Sequence, residues 1–105
     1  MERFAYLLAA LRNTPDGAGN LLDGSCVLLG SDAAAGLTHS VYDQPCIVAG
    51  KGGGALKYPG VHYRSPNSEN ASNILLSTLQ TVCPEASEVG GTLGYSNTPV
   101  SQIMA

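Results

Sequence analysis

Two short, unbroken apolar runs constrain this chain most. They are Cys26-Val27-Leu28-Leu29-Gly30 and Pro45-Cys46-Ile47-Val48-Ala49. Each is too short for a buried helix and is bounded by turn-forming residues, so each reads as a strand. Neither alternates polar with apolar, which fits strands buried on both faces, as in a parallel sheet. The connection between them, Ser31 to Gln44, has no helical or strand period and reads as a loop leaving the end of the first strand.

Helical patterns flank these strands. Phe4, Leu7, Leu8 and Leu11 recur at helical spacing and predict a helix over 2–13, ended by Asn13-Thr14-Pro15-Asp16-Gly17. Residues 14–20 read as a polar loop. Gly50 to Gly54 reads as a flexible turn. Pro59-Gly60 between Leu56-Lys57-Tyr58 and Val61-His62-Tyr63 suits a small hairpin. Ser65-Pro66 offers a helix N-cap followed by proline at the first helical position. The helix is expected to run to about Val82, with Ala71, Ile74, Leu75, Thr78, Leu79 and Val82 on its packing face, and to end at Cys83-Pro84. Residues 84–105 read as a weakly structured tail, with a short strand near Thr92–Tyr95 and a last helical turn between Pro99 and Ala105. The whole predicts one α/β domain over 1–105: a small sheet with two packing helices.

Composition narrows the function classes. Charged residues make up 12% of the chain and the net charge is -3, with no basic cluster. Nucleic acid and anionic membranes are therefore poor partners. No apolar run reaches the ~20 residues of a membrane helix. Lys51, Lys57 and Arg64 read as a solvated face. Cys26 and Cys46 read as small buried hydrophobes, and no spacing among Cys26, Cys46 and Cys83 marks a disulfide or a zinc site. The start carries no secretory leader pattern. As written the chain reads as cytoplasmic, or as a piece of something longer.

The chemistry-bearing stretch is 21–50. A strand ending in Gly30-Ser31-Asp32 is followed by His39, then Asp43, then the second strand. Carboxylate and imidazole groups just beyond strand ends suit a divalent metal, although the same residues also serve ordinary loop hydrogen bonding. Asp43 suits either a turn cap before Pro45 or a carboxylate orienting His39. His62 reads as a packing residue of the hairpin.

Leu21 to Asp32, with its Leu-Leu-Asp-Gly-Ser-Cys-Val-Leu-Leu-Gly-Ser-Asp run, resembles the strand-to-metal segment of the alkaline phosphatase and sulfatase superfamily. His39 to Gly50 resembles that superfamily's later segment, in which a His precedes a Pro-led strand. The short loop between them, the Gly-rich turn, Thr14-Pro15-Asp16-Gly17, His62-Tyr63-Arg64 and the run Asn73 to Gln80 are closer still to an uncharacterised, exported bacterial sulfatase-like branch. The resemblance implies the C-terminal lobe of an alkaline-phosphatase-like fold, part of a much larger protein. It implies Asp32, His39 and Asp43 as an incomplete set of metal ligands, for zinc or a similar divalent ion. Ala33 stands where the phosphatase pattern has a His, and the family's nucleophile and remaining ligands lie upstream of the resembling region. The expectation is a module without catalytic or cofactor-binding residues of its own, joined to a second copy or to the upstream lobe. The alternative is a metal-dependent phosphate or sulfate ester hydrolase lobe.

Overall fold

A computed structural model describes all residues, 1–105. Helix α1 (Glu2–Asn13) forms where its apolar spacing places it, and its chain leaves in extended conformation at Thr14. The expected loop that follows contains a minimal hairpin, β1 (Pro15–Asp16) and β2 (Gly19–Asn20), with Gly17 in the left-handed region at its turn. A short helix, α2 (Leu21–Gly24), then starts on a reciprocal cap. Asn20 Oδ1 accepts from the Asp23 N–H and Asp23 Oδ2 accepts from the Asn20 N–H, both at 3.2 Å.

Strands β3 (Val27–Leu29) and β4 (Ile47–Ala49) lie where the apolar runs are, but they pair antiparallel, not parallel. Leu28 faces Val48, and the loop between them closes back on itself through Ala34 N–H to the Ser40 carbonyl, 2.6 Å. The connection is thus a long hairpin and not a crossover. The architecture is α/β with two separate two-stranded antiparallel sheets, in place of one. Neither β3 nor β4 is buried on both faces, and Cys46 is exposed. No backbone hydrogen bond joins residues 27–29 or 47–49 to anything beyond their own pair, so both edges are open.

Helix α3 spans Ser72–Gln80, later than expected. Ser65 Oγ accepts from the Glu69 N–H, 2.9 Å, and closes a separate turn. Asn70 Oδ1 accepts from the Ser72 N–H, 2.9 Å, and is the side chain that leads into the helix. Residues 56–63 form no hairpin; they run as irregular chain with a cis Tyr58–Pro59 bond. The tail carries little regular structure, and no strand forms at Thr92–Tyr95, but bridges tie it to itself and to Leu56. Val89 bridges Ser96, Met104 bridges Leu56, and Ser101–Ile103 make a helical turn close to where one was expected.

That tail completes the core. Leu56, Leu76 and Val100 are the only buried apolar residues, joined by Ser72, Asn73, Ser77 and Ser96. Ser96 Oγ donates to Asn73 Oδ1 at 2.6 Å. Ser77 Oγ accepts from the Val100 N–H at 2.7 Å and donates to the Asn73 carbonyl at 3.1 Å. Helix α3 therefore turns a polar face inward. The face expected to pack is the one left outside: Leu75, Leu79 and Val82 are 44%, 36% and 76% exposed. Serine and asparagine go inside because the C-terminal segment offers them partners, the Val100 N–H for Ser77 and the Ser96 hydroxyl for Asn73, and a satisfied buried polar group is no liability.

Candidate functional site

The loop 30–46 carries the three candidate ligands. Ser31 and Asp32 leave β3; Gln44, two residues before the end of the loop, donates from Nε2 to the Asp32 carbonyl at 3.1 Å. Asp32 and Gln44 thus form the neck of the loop and His39 lies towards its far end, where Ala35 bridges Ser40. His39 and Asp43 both adopt left-handed backbone conformations, φ 50° and 54°, which His and Asp tolerate better than most residues. The loop tip is apolar and open: Leu37, Val41 and Tyr42 all face solvent.

The loop brings Asp32, His39 and Asp43 into one segment but not into one ligand set. Asp32 and His39 are exposed and make no side-chain hydrogen bond to each other. Asp43 Oδ2 takes Arg64 Nη2 at 3.1 Å instead of orienting His39. No three His, Cys, Asp or Glu side chains anywhere in the chain gather closely enough to hold a metal ion. On their own these residues do not make up a divalent centre, which takes at least three protein ligands. The Arg64 partner of Asp43, 21 residues away, had no signal in the sequence.

Neither serine of the loop is prepared as a nucleophile. Ser31 Oγ is tied to the Ala33 carbonyl at 2.8 Å, and Ser40 Oγ accepts from the Tyr42 N–H at 3.2 Å; no base reaches either. Burial pushes the Cys26 thiol above its usual range, partly offset by the nearby Thr81. Glu85, which accepts from Cys83 Sγ at 3.2 Å, raises the Cys83 thiol. Both shifts disfavour the thiolate on which cysteine reactivity depends.

The Gly-rich turn does not cradle an anion either. Gly52–Gly54 form a helical turn, and the N–H groups of Lys51, Gly52, Gly54 and Ala55 donate to the carbonyls of Leu22, Ser25, Lys51 and Gly52. Those donors are therefore not free for a phosphate. Lys51 Nζ reaches Asp23 Oδ1 at 2.8 Å and lies 4.8 Å from the centre of the Tyr58 ring, so it does not join Lys57 and Arg64 in an anion patch.

The Lys51–Asp23 contact ties the turn to α2. The Lys51 hydrogen bond holds the Asp23 carboxyl below the usual carboxylate range, with the Asn20 backbone assisting against desolvation. Asp23, through its hydrogen bond and its charge, raises Lys51. A lowered carboxyl contributes stability above its unfolded pKa of about 4, lost as pH falls through the folded value. A raised ammonium contributes below about 10.4, lost as pH rises through the folded value. Asp23→Asn keeps the acceptor for Asn20 but removes the charge. The melting temperatures of the two proteins are expected to differ between these limits and to converge in more acid and more alkaline buffer. Parallel curves throughout would show that the pair contributes nothing.

No helix is long and apolar enough to cross a membrane. Compared with protein-family models, with curated proteins and with solved structures, the chain matches none.

Proposed function

We propose that this chain is a non-catalytic α/β module that works assembled with a partner, as one lobe or one subunit of a larger body. One observation carries the reading. A compact monomer of 10.8 kDa exposes about 5,500 Å². This chain exposes 7371 Å², an excess of roughly 1,800 Å². Its radius of gyration, 14.6 Å, likewise exceeds the about 13 Å of a compact chain of this length. The excess includes apolar side chains on α1, α3 and the loop tip, which water does not favour. The sulfatase-like resemblance supports a lobe from which neighbouring strands are missing, and the open edges of β3 and β4 agree with it.

The test measures exposed apolar surface and metal response together. The isolated chain at low concentration is expected to bind a hydrophobic-surface dye such as anilinonaphthalene sulfonate. Zinc, manganese or magnesium is expected to leave its melting temperature unchanged, because a bound ion would raise it by mass action. Absence of dye binding would remove the partner-dependent reading. A metal-dependent rise abolished by His39→Ala would put the hydrolase lobe in its place.

A further inference from the structure

Asp-Gly occurs twice in this chain, at Asp16-Gly17 and Asp23-Gly24, and Asn-Gly does not occur. The pair is chemically labile because glycine has no side chain to shield its nitrogen or restrict its backbone, so that nitrogen can approach the preceding carboxyl. The two copies sit in opposite surroundings. Asp16-Gly17 lies at the turn of the β1–β2 hairpin. Asp16 is exposed, and no hydrogen bond or ion pair holds its carboxylate. Gly17 has φ 57° and open space on the side where a β-carbon would lie. Asp23 is held at both oxygens, Oδ1 by Lys51 Nζ at 2.8 Å and Oδ2 by the Asn20 N–H at 3.2 Å. Its Oδ2 also lies 2.8 Å from where a β-carbon on Gly19 would be, so the carboxylate rests against the hairpin backbone.

We infer that Asp16 is a site of spontaneous isoaspartate formation in the folded protein, and that the contacts of Asp23 with Lys51 and Asn20 protect the second Asp-Gly. The Gly17 nitrogen gives its proton to water and attacks Cγ of the neutral Asp16 carboxyl. An N–Cγ bond forms, the bond from Cγ to the hydroxyl breaks, and the hydroxide leaves with a proton as water, closing a five-membered succinimide. Water then opens the ring, and the nitrogen recovers its proton. Breaking N–Cγ restores aspartate. Breaking the bond from nitrogen to the Asp16 main-chain carbonyl carbon routes the chain through Cγ and leaves that carbonyl as a free carboxylate. Nothing is oxidised or reduced, and the water lost is regained. The same attack at Asp23 first requires both contacts to its carboxylate to open, and Lys51 keeps that carboxyl ionised, the less reactive form. Isoaspartate at 16 adds one carbon to the backbone, about 1.5 Å, inside a turn of two residues. Turn length fixes strand register, so the pairing of Asp16 with Gly19 is expected to be lost in the product.

Ageing of the full chain in mildly acidic buffer below its melting temperature, followed by peptide mapping with electron-transfer fragmentation, tests this. That fragmentation distinguishes isoaspartate from aspartate, and the unchanged mass separates the reaction from deamidation. Isoaspartate is expected to accumulate at Asp16 at least about tenfold faster than at Asp23, because the Asp23 contacts must open first. In concentrated urea the two sites should convert at similar rates. Asp16→Glu, whose imide ring would have six members and closes far more slowly, is expected to abolish the product at 16. Lys51→Gln is expected to speed conversion at Asp23. Conversion at Asp16 no faster than at Asp23, or the same bias in urea as in the folded chain, would overturn the proposal. So would unchanged conversion at Asp23 in a Lys51→Gln protein that keeps its circular dichroism. If that variant does not fold, the comparison of folded chain with urea decides alone.

Discussion

Leu76→Ala is expected to lower the melting temperature by about 10 °C or more. Leu76 is the one large apolar side chain with no exposed surface. Truncating a buried leucine costs about 2–5 kcal/mol, the lost transfer energy plus the cavity left behind. A domain of this size has about 5–15 kcal/mol in total, and one with three buried apolar residues belongs near the lower end. The loss is therefore a large share of the whole. Leu37→Ala, at the open loop tip, is the control and is expected within about 0.5 kcal/mol of wild type. Thermal melts by circular dichroism compare the two. Similar melting for both variants would show that Leu76 is not the centre of the core.

Gly50→Ala is expected to be nearly as damaging, for a different reason. Gly50 has φ 104°, in the region where only glycine is at ease, and it lies where the chain after β4 crosses the end of α2. A β-carbon there would fall 2.0 Å from the Ser25 carbonyl oxygen and 3.0 Å from that of Leu22. Those are the carbonyls that accept from Gly52 and Lys51. The alanine must push the strands of chain apart and lose both bonds, at about 3–5 kcal/mol with the backbone strain. Gly53→Ala separates strain from crowding: its φ is 65° but nothing lies within 4 Å of an added β-carbon. It is expected to cost only about 1–2 kcal/mol. Equal losses in urea titrations of the two variants would mean that the crossing at Gly50 has room to move.

How far the sequence was legible differs from one element to the next, and the difference has a physical pattern. Helix α1 and the positions of β3 and β4 were readable because local signals decide them: an apolar stripe ended by Thr14-Pro15, and apolar runs bounded by Gly and Pro. The direction of pairing was not. It depends on whether residues 31–44 turn back on themselves, and the Ala34–Ser40 and Asp32–Gln44 bonds that make them do so connect residues with no local pattern. The start of α3 moved because Asn70 competes with Ser65 as its leading side chain. Its inward face was illegible because polar residues normally signal solvent. Here Asn73 and Ser77 each find a partner 23 residues away. Asp32, His39 and Asp43 do share one loop, as the sequence indicates. The arginine that engages Asp43 lies just after the stretch expected as a hairpin and reads in the sequence only as part of a solvated face.

The seam of Asn73, Ser77, Ser96 and Val100 also governs how stability varies with temperature. Heat capacity rises when apolar surface meets water and falls when polar surface does. A core stitched largely by serine and asparagine opens with much of the second kind and little of the first. Its unfolding heat capacity is accordingly expected to be small for 105 residues, and its stability curve shallow. Such a molecule gains little by cooling and has no steep optimum. Its modest margin is expected to change little over a wide range of temperatures.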